Sequence, residues 1–460
     1  MFEKVSTYNI SKTSERKSYL KKLELCLSDN LNFHNENSNY LSHNFHAFPA
    51  KFPPQLPKKF ILELTQENDI VLDPMMGSGT TILEAISNNR HAVGFDIDPL
   101  ALMITSVKTT CYNKKTLVEE FNRIITYTNK LLNNQDNLTS LFNKFDPDTK
   151  SFVEYWFHKE TIKELLSLSY SISKIENEKI RNFFKIIFSS IIITKSGGVS
   201  LAMDLAHTRP HRAKFVIDPY AESFFKFDGI KEKKESYNTK RLKSSLNEFQ
   251  KKFYQNLDSV REANTIYNPV LNLANSQNFK LTDNSVDLIV TSPPYPANAI
   301  DYMRAHKFSL LWFGFSVEEL KDKRKEYIGH EAASDFTFKE MPPLTKSIIS
   351  KVEQKNIKKS QSLHRYYSEM KSVLKEMYRV LKHNTSAIVV VGNSNICGVD
   401  SRTDICLKEI GENLGFVVPK IGERDLDRNR RMMPASNNKN YNSQILNRMH
   451  KEYIIGFYKQ

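Results

Sequence analysis

A doubly wound α/β sheet with helices on both faces, carrying a large and mainly helical insertion, is the fold class this sequence predicts. Three observations point to it. Ile70-Val71-Leu72-Asp73 and Ala92-Val93-Gly94-Phe95-Asp96-Ile97-Asp98 are short apolar runs, each ending in an acid, separated by a glycine-bearing turn and a helical stretch, which is the pattern of a βαβ unit. Val286-Asp287-Leu288-Ile289-Val290 is a third run of strand length, and it ends abruptly in Thr291-Ser292-Pro293-Pro294-Tyr295. Between these halves no glycine occurs from Gly94 to Gly197, which favours uninterrupted helices.

In chain order the elements fall into four stretches. Residues 1–42 are polar and rich in Asn, Ser and Lys, and are expected to form a helical or loose N-terminal arm. Residues 43–112 hold the first βαβ unit, with the helix running from Thr80 through Ile86. Residues 113–267 form the insertion, with helical periodicity in Glu160-Thr161-Ile162-Lys163-Glu164-Leu165-Leu166. Residues 268–460 complete the sheet. Asn268 to Leu273 reads as the strand that resumes it, Tyr367 to Leu381 as an amphipathic helix, and Ser386 to Gly392 as a buried strand. Glu452 to Tyr458 reads as a last strand pairing with Phe416-Val417-Val418.

The turn Asp73-Pro74-Met75-Met76-Gly77-Ser78-Gly79-Thr80-Thr81 is the first candidate binding element. Gly77 and Gly79 allow a sharp turn and close approach of a ligand to the backbone. No Gly-Lys-Ser/Thr is present, and Asp73 would repel a phosphate, so a P-loop is excluded. An acid here suits a cationic ligand end, such as the amino group of a methionine moiety. Asp96 at the next strand end can accept from both hydroxyls of a ribose. The combination points to S-adenosyl-L-methionine rather than a dinucleotide. At the second element Pro293 and Pro294 fix φ and lack N–H groups. The Ser292 hydroxyl and a backbone carbonyl there can accept from an exocyclic amine, and Tyr295 can stack on a planar ring.

Together these motifs resemble the amino-group DNA methyltransferases, which modify N4 of cytosine or N6 of adenine. The tetrapeptide Ser292-Pro293-Pro294-Tyr295 matches the family's catalytic motif, and His46 to Leu56 is similar to its segment over the cofactor's methionine end. The resemblance covers roughly residues 43–110 and 268–395 with the closing strands. It implies a Rossmann-like methyltransferase sheet and S-adenosyl-L-methionine as cofactor. It also implies cofactor contacts from Lys51, Phe52, Asp73, Pro74, Gly77, Gly79, Thr80, Thr81, Asp96 and Ile97. Where family members often carry Gly-Asp to contact the cofactor's adenine amine, this chain has Leu273-Ala274-Asn275-Ser276, and Asn275 is the substitute expected to accept in its place. In the family, Ser at the first motif position associates with cytosine N4 and Asp with adenine N6, so cytosine N4 is expected. The expected partner is double-stranded DNA, and the expected setting is a prokaryotic restriction–modification system with any cognate endonuclease on a separate chain.

Composition agrees. The formal charge is +14, from 66 Lys and Arg against 52 Asp and Glu, which favours a polyanionic partner. Candidate DNA contacts are Arg209 and Arg212 in a compact basic turn, and Arg428, Arg430 and Arg431 in the stretch Arg424 to Arg431, expected to be a loop between the closing strands. The insertion is open to two readings, target recognition or a helical cap. Tyr302 and Trp312 are expected in the core. The four cysteines form no CxxC pair, and Pro210 breaks the helix that would bring His207 and His211 together, so no metal site is expected. C5 methylation would need a cysteine nucleophile, usually after a proline, and none of the four follows one. The N-terminus lacks the apolar core of a signal peptide, and Phe183 to Thr194 is too short to span a membrane, so a cytoplasmic protein without membrane partners is expected. An adenine-N6 enzyme and an RNA base-amine methyltransferase remain open alternatives.

Overall fold

In the computed structural model, residues 18–48, 51–205, 210–217, 224–226, 239–262, 267–296, 301–329, 336–426 and 450–460 are described. The apolar runs form the expected strands: β1 (Ile70–Asp73), β2 (His91–Asp96), β6 (Val270–Leu273), β7 (Val286–Thr291) and β8 (Leu381–Val391). They pair in parallel in the order β6-β2-β1-β7-β8. The inner parallel strands are covered on both faces and therefore read as near-continuous apolar sequence, whereas β6 at the edge is partly exposed. The last strand, β13 (Lys451–Lys459), runs antiparallel to β8, with Ile455 opposite Val389. It also pairs with β11 (Phe416–Val417), as expected, and with β12 (Ile421–Asp425).

Alternation along the strands divides the core. Leu72, Ile289, Val389 and Phe457 face α13 (Pro343–Glu353), α14 (Ile357–Val380) and α15 (Thr403–Asn413). Val71, Leu288, Val390 and Ile454 face α2 (Gln55–Leu64), α3 (Thr80–Ser87) and a helix over 18–28, α1. The described part of the N-terminal arm is thus a helix over 18–28, packed against the sheet, followed by turns and irregular chain over 29–42. Its Leu27 lies so close to β13 that a Cβ on Gly456 would meet Leu27 Cδ1 at 2.6 Å.

The insertion comprises α5 (Lys114–Leu132), α6 (Gln135–Phe142), α7 (Pro147–Trp156), α8 (Lys159–Ser173), α9 (Glu178–Ile192) and α10 (Ser245–Leu257). A small sheet of β3 (Phe215–Ile217), β4 (Phe224–Lys226) and β5 (Thr239–Arg241) interrupts them. Its helices share one core with α4 (Pro99–Thr109) and α11 (Tyr302–Leu310), where Phe183 and Ile187 meet Ile104, Phe308 and Trp312. The apolar run of α9 is therefore a buried core helix. No helix among the described residues is long and apolar enough to cross a membrane.

Two expectations need correction. Arg424 and Asp425 lie within β12 rather than in a loop, because the chain adds a strand after β11 before it turns back. Tyr302 is a half-buried wall residue of the cavity described below, whereas Trp312 is in the core as expected.

Candidate active site

The sheet's strand order reverses between β1 and β7, and the crevice outside the carboxyl ends at such a reversal is where open α/β sheets bind ligands. Here it holds a cavity of about 460 Å³ walled by both halves of the chain. Its size is within the range of small-molecule sites.

The glycine turn forms the floor. Gly77 and Gly79 take positive φ, +49° and +71°, which a residue with a Cβ adopts only at a cost. The turn is braced from α4: Thr105 Oγ1 donates to Gly77 O at 3.0 Å and Lys108 Nζ to Ser78 O at 2.5 Å. Lys108 is 1% exposed, and burial pushes its ammonium well below the ordinary lysine value. Asp73 Oδ1 accepts from Thr291 Oγ1 at 2.7 Å and from Met75 N at 3.2 Å. Burial raises its carboxyl to about 6. Asp96 accepts from Gly77 N at 2.8 Å on one oxygen and Asp98 N at 2.9 Å on the other. Burial, and then the charge of Asp98, raise it to about 7.

Asp98 is the hub of a second network. Its Oδ1 caps α4 through Leu100 N, and its Oδ2 accepts from His306 Nδ1 at 2.5 Å and Tyr327 OH at 2.9 Å. Burial would raise this carboxyl, but His306 by charge and hydrogen bond, with Tyr327, holds it below the usual value. His306 also lies beside Phe48, which stacks on Tyr302 with ring centroids 5.0 Å apart. α11 is thereby fastened to the segment preceding α2.

At the end of β7, the Ser292 hydroxyl lies 3.1 Å from Val390 O and 3.3 Å from the Tyr295 hydroxyl. Tyr295 in turn donates to Glu452 Oε1 at 3.0 Å. Burial, and then the neighbouring Glu452 carboxylate, push the Tyr295 hydroxyl well above the ordinary tyrosine value, so it remains a donor. Because the Ser292 proton is committed to one of its two neighbours, its remaining lone pairs make it an acceptor toward the cavity.

The cavity wall unites Lys51, Phe52, Asp73, Pro74, Gly77, Thr80, Asp96, Ile97 and Asn275 with Ser292 and Pro294. Pro293, Tyr295, Gly79 and Thr81 lie outside that wall. Thr81 donates to Val290 O at 3.1 Å and ties α3 to β7. Gly79 faces α4, where a Cβ would meet Thr105 Cγ2 at 2.4 Å. Lys51 donates to His43 O at 2.8 Å. Asn275 Oδ1 already accepts from Gln277 N at 2.9 Å, leaving one lone pair for a ligand.

Wall residues that the sequence reading did not single out include Phe48, Ser276, Arg304, Arg324 and Tyr327. Asp301 pairs with both arginines. Phe48 lay within the matched segment His46 to Leu56, so its ring was the signal available. The arginines sit on different helices and share no local pattern.

Of the candidate DNA contacts, Arg212 lies over the Tyr155 ring, 4.4 Å from its centroid, within the insertion. Arg209, Arg428, Arg430 and Arg431 lie outside the described residues. Among the described residues no group of three or more His, Cys, Asp or Glu could hold a metal ion.

A family model described as DNA methylase, covering N6 and N4 enzymes, matches residues 4–107 and 286–460. The gap between its two segments corresponds to the insertion and β6. The Type II methyltransferase M.MvaI of Kocuria varians is 25% identical over 411 residues, covering 85% of this chain and 86% of its own length. The Type II methyltransferase M.BsoBI of Geobacillus stearothermophilus is 23% identical over 426 residues, covering 84% and 80%. A solved SAM-dependent methyltransferase from Methanosarcina mazei aligns over 87% of this chain and 96% of its own at 9% identity, with a TM-score of 0.30.

Proposed function

Since the chain belongs to the amino-group DNA methylase family, with S-adenosyl-L-methionine as methyl donor, we propose that it methylates N4 of cytosine at specific sites in duplex DNA. The setting is a restriction–modification system acting on cytoplasmic DNA, with any cognate endonuclease on a separate chain. The Type II methyltransferases among its relatives support that setting. The observation that carries the reading is that Ser292, the motif residue associated with cytosine, lines the same cavity as Asp73 and Asp96.

The cavity suits the donor. Asp73 offers a carboxylate to an α-amino group, Asp96 keeps a lone pair on each oxygen for a ribose diol, and Phe48, Phe52 and Met75 supply apolar wall for an adenine. When bound, the donor supplies an electrophilic methyl group on a sulfonium.

The protein's own contribution is to extract, hold and orient the target amine. A base inside the duplex cannot reach this cavity, so it must be flipped out, at a cost of about a few kcal/mol. Ser292 Oγ, on the cavity wall, then accepts an N–H of the amine, drawing the nitrogen lone pair out of conjugation. Tyr295 stands behind that wall, its hydroxyl 3.3 Å from the Ser292 hydroxyl. Alignment of amine and methyl supplies much of the rate, and no covalent enzyme intermediate is required. Arg304 and Arg324, held by Asp301, are suited to the phosphates beside the flipped nucleotide.

The test is transfer of labelled methyl groups to unmodified duplex DNA, with tRNA as competitor. Saturable transfer to duplex DNA that tRNA does not divert is expected. Transfer to tRNA with none to DNA would overturn the reading.

A further inference from the structure

We propose that Glu452 is the terminal acceptor for the proton the target amine sheds, delivered through Ser292 and Tyr295. The inference rests on the base-amine reading above.

The three side chains come from far apart in sequence to one end of the sheet: Ser292 follows β7, Tyr295 lies in the turn beyond it, and Glu452 stands in β13. A carboxylate can only accept, so the single Tyr295 proton points to Glu452 Oε1, 3.0 Å away. Its oxygen then faces Ser292, 3.3 Å away. The Ser292 proton has two acceptors in reach, Val390 O and Tyr295 Oη. Turned toward Tyr295, it completes a one-way chain of donors from the cavity wall to the carboxylate.

Glu452 is an odd structural acid. It is 8% exposed, and the cation paired with it among the described residues, Arg424, is 7% exposed with Nε 3.4 Å from Glu452 Oε2. Among the described residues Glu452 Oε2 and Arg424 Nε and Nη1 have no hydrogen-bond partner. A carboxylate retained only to brace the sheet would be expected to have its oxygens satisfied, because a half-paired buried charge is costly. One that must change protonation state is better left with an oxygen spare. Burial raises the Glu452 carboxyl, and Arg424 and the Tyr295 hydrogen bond oppose that rise.

In the reaction the N–CH₃ bond forms as the S–CH₃ bond breaks, and the bonding pair stays on sulfur. The nitrogen is left with one proton too many. That proton passes to Ser292 Oγ, the Ser292 proton passes to Tyr295 Oη, and the Tyr295 proton passes to Glu452 Oε1. Ser292 and Tyr295 end neutral, and Glu452 ends as a neutral acid that returns its proton to water after the product leaves. A serine cannot hold this proton itself, whereas an aspartate in its place could. The relay places the missing carboxylate two hydrogen bonds away.

The experiment compares Glu452→Gln, Tyr295→Phe and their combination with the wild type, using the full chain and duplex DNA. Single-turnover methyl transfer is measured beside cofactor affinity by calorimetry and base flipping by a fluorescent base analogue at the target position. Glutamine keeps an oxygen for Tyr295 but takes no proton. Phenylalanine keeps the ring and leaves the Arg424–Glu452 pair intact, so it decides the matter if Glu452→Gln is poorly folded. The expected result is a transfer rate lowered at least about tenfold in each single variant, in line with lost proton transfer. The double variant should be no slower than the worse single one, and binding and flipping should stay within about twofold. Transfer within about twofold of wild type in Tyr295→Phe, or losses that multiply in the double variant, would overturn the proposal. A wild-type protein that methylates no DNA would instead overturn the reading on which it rests.

Discussion

Replacing Asp73 with Asn removes a charge from the cavity while keeping the local fold, because an amide oxygen can still accept from Thr291 Oγ1 and Met75 N. On the proposed cofactor placement, what is lost is a charged hydrogen bond to the cofactor's amino group, worth about 1.5–3 kcal/mol, or roughly 10- to 150-fold in Kd. The pH dependence separates this from a general weakening. In the free protein Asp73 titrates at about 6 and Asp96 at about 7, and both must be ionised to hold a cation and a diol. Raised carboxyl values mean that protons are bound below them and must leave on binding, so affinity rises with pH. At pH 5.5 the wild type should release about 1.7 protons per cofactor bound, roughly three-quarters of one from Asp73 and nearly one from Asp96, and Asp73→Asn about one. Calorimetry at pH 5.5 in buffers of different ionisation enthalpy measures that number directly. Wild-type affinity in the variant at neutral pH, or unchanged proton release, would refute the assignment of Asp73 to the cofactor's cationic end.

Three further outcomes are expected. Asp96→Ala should weaken cofactor binding at least about tenfold by calorimetry, since one of its oxygens holds the glycine turn and both keep a lone pair for the proposed ribose contact. Ser292→Ala should abolish most methyl transfer in a single-turnover assay while leaving cofactor affinity within about twofold, because its hydroxyl, the proposed acceptor for the amine, is bonded to Val390 O and lies beside Tyr295 rather than at the floor of the site. Gly79→Ala should lower the melting temperature, since φ is +71° and the new Cβ would lie 2.4 Å from Thr105 Cγ2; the left-handed conformation alone costs about 1–2 kcal/mol.

The parts of this protein written in contiguous residues were legible. The β1 turn and Asp96 lie within 24 residues of one another, and each carries its own local chemistry, so the sequence located the cofactor floor. The strand before the tetrapeptide was equally plain from its apolar run. Side-chain direction was not. Nothing local says that Gly79 faces Thr105, or that Thr81 faces Val290, rather than the ligand. Partners distant in sequence were invisible for the same reason. Glu452 reads only as the polar first residue of a strand, and its bond to Tyr295 spans 157 residues. Asp98 reads as the end of the second strand, whereas it caps α4, and its contact with His306 depends on how α11 packs. Arg424 was assigned to a loop because a charged stretch gave no sign that the sheet would add β12. The docking of the insertion on α4 and α11 is set by a shared apolar core that no periodicity within either segment discloses.

Nucleoside mass spectrometry of DNA from a methylation-free host expressing this chain tests the central claim most directly. N4-methylcytosine is the predicted product. N6-methyladenine, with no N4-methylcytosine, would contradict the assignment of Ser292 to a cytosine amine.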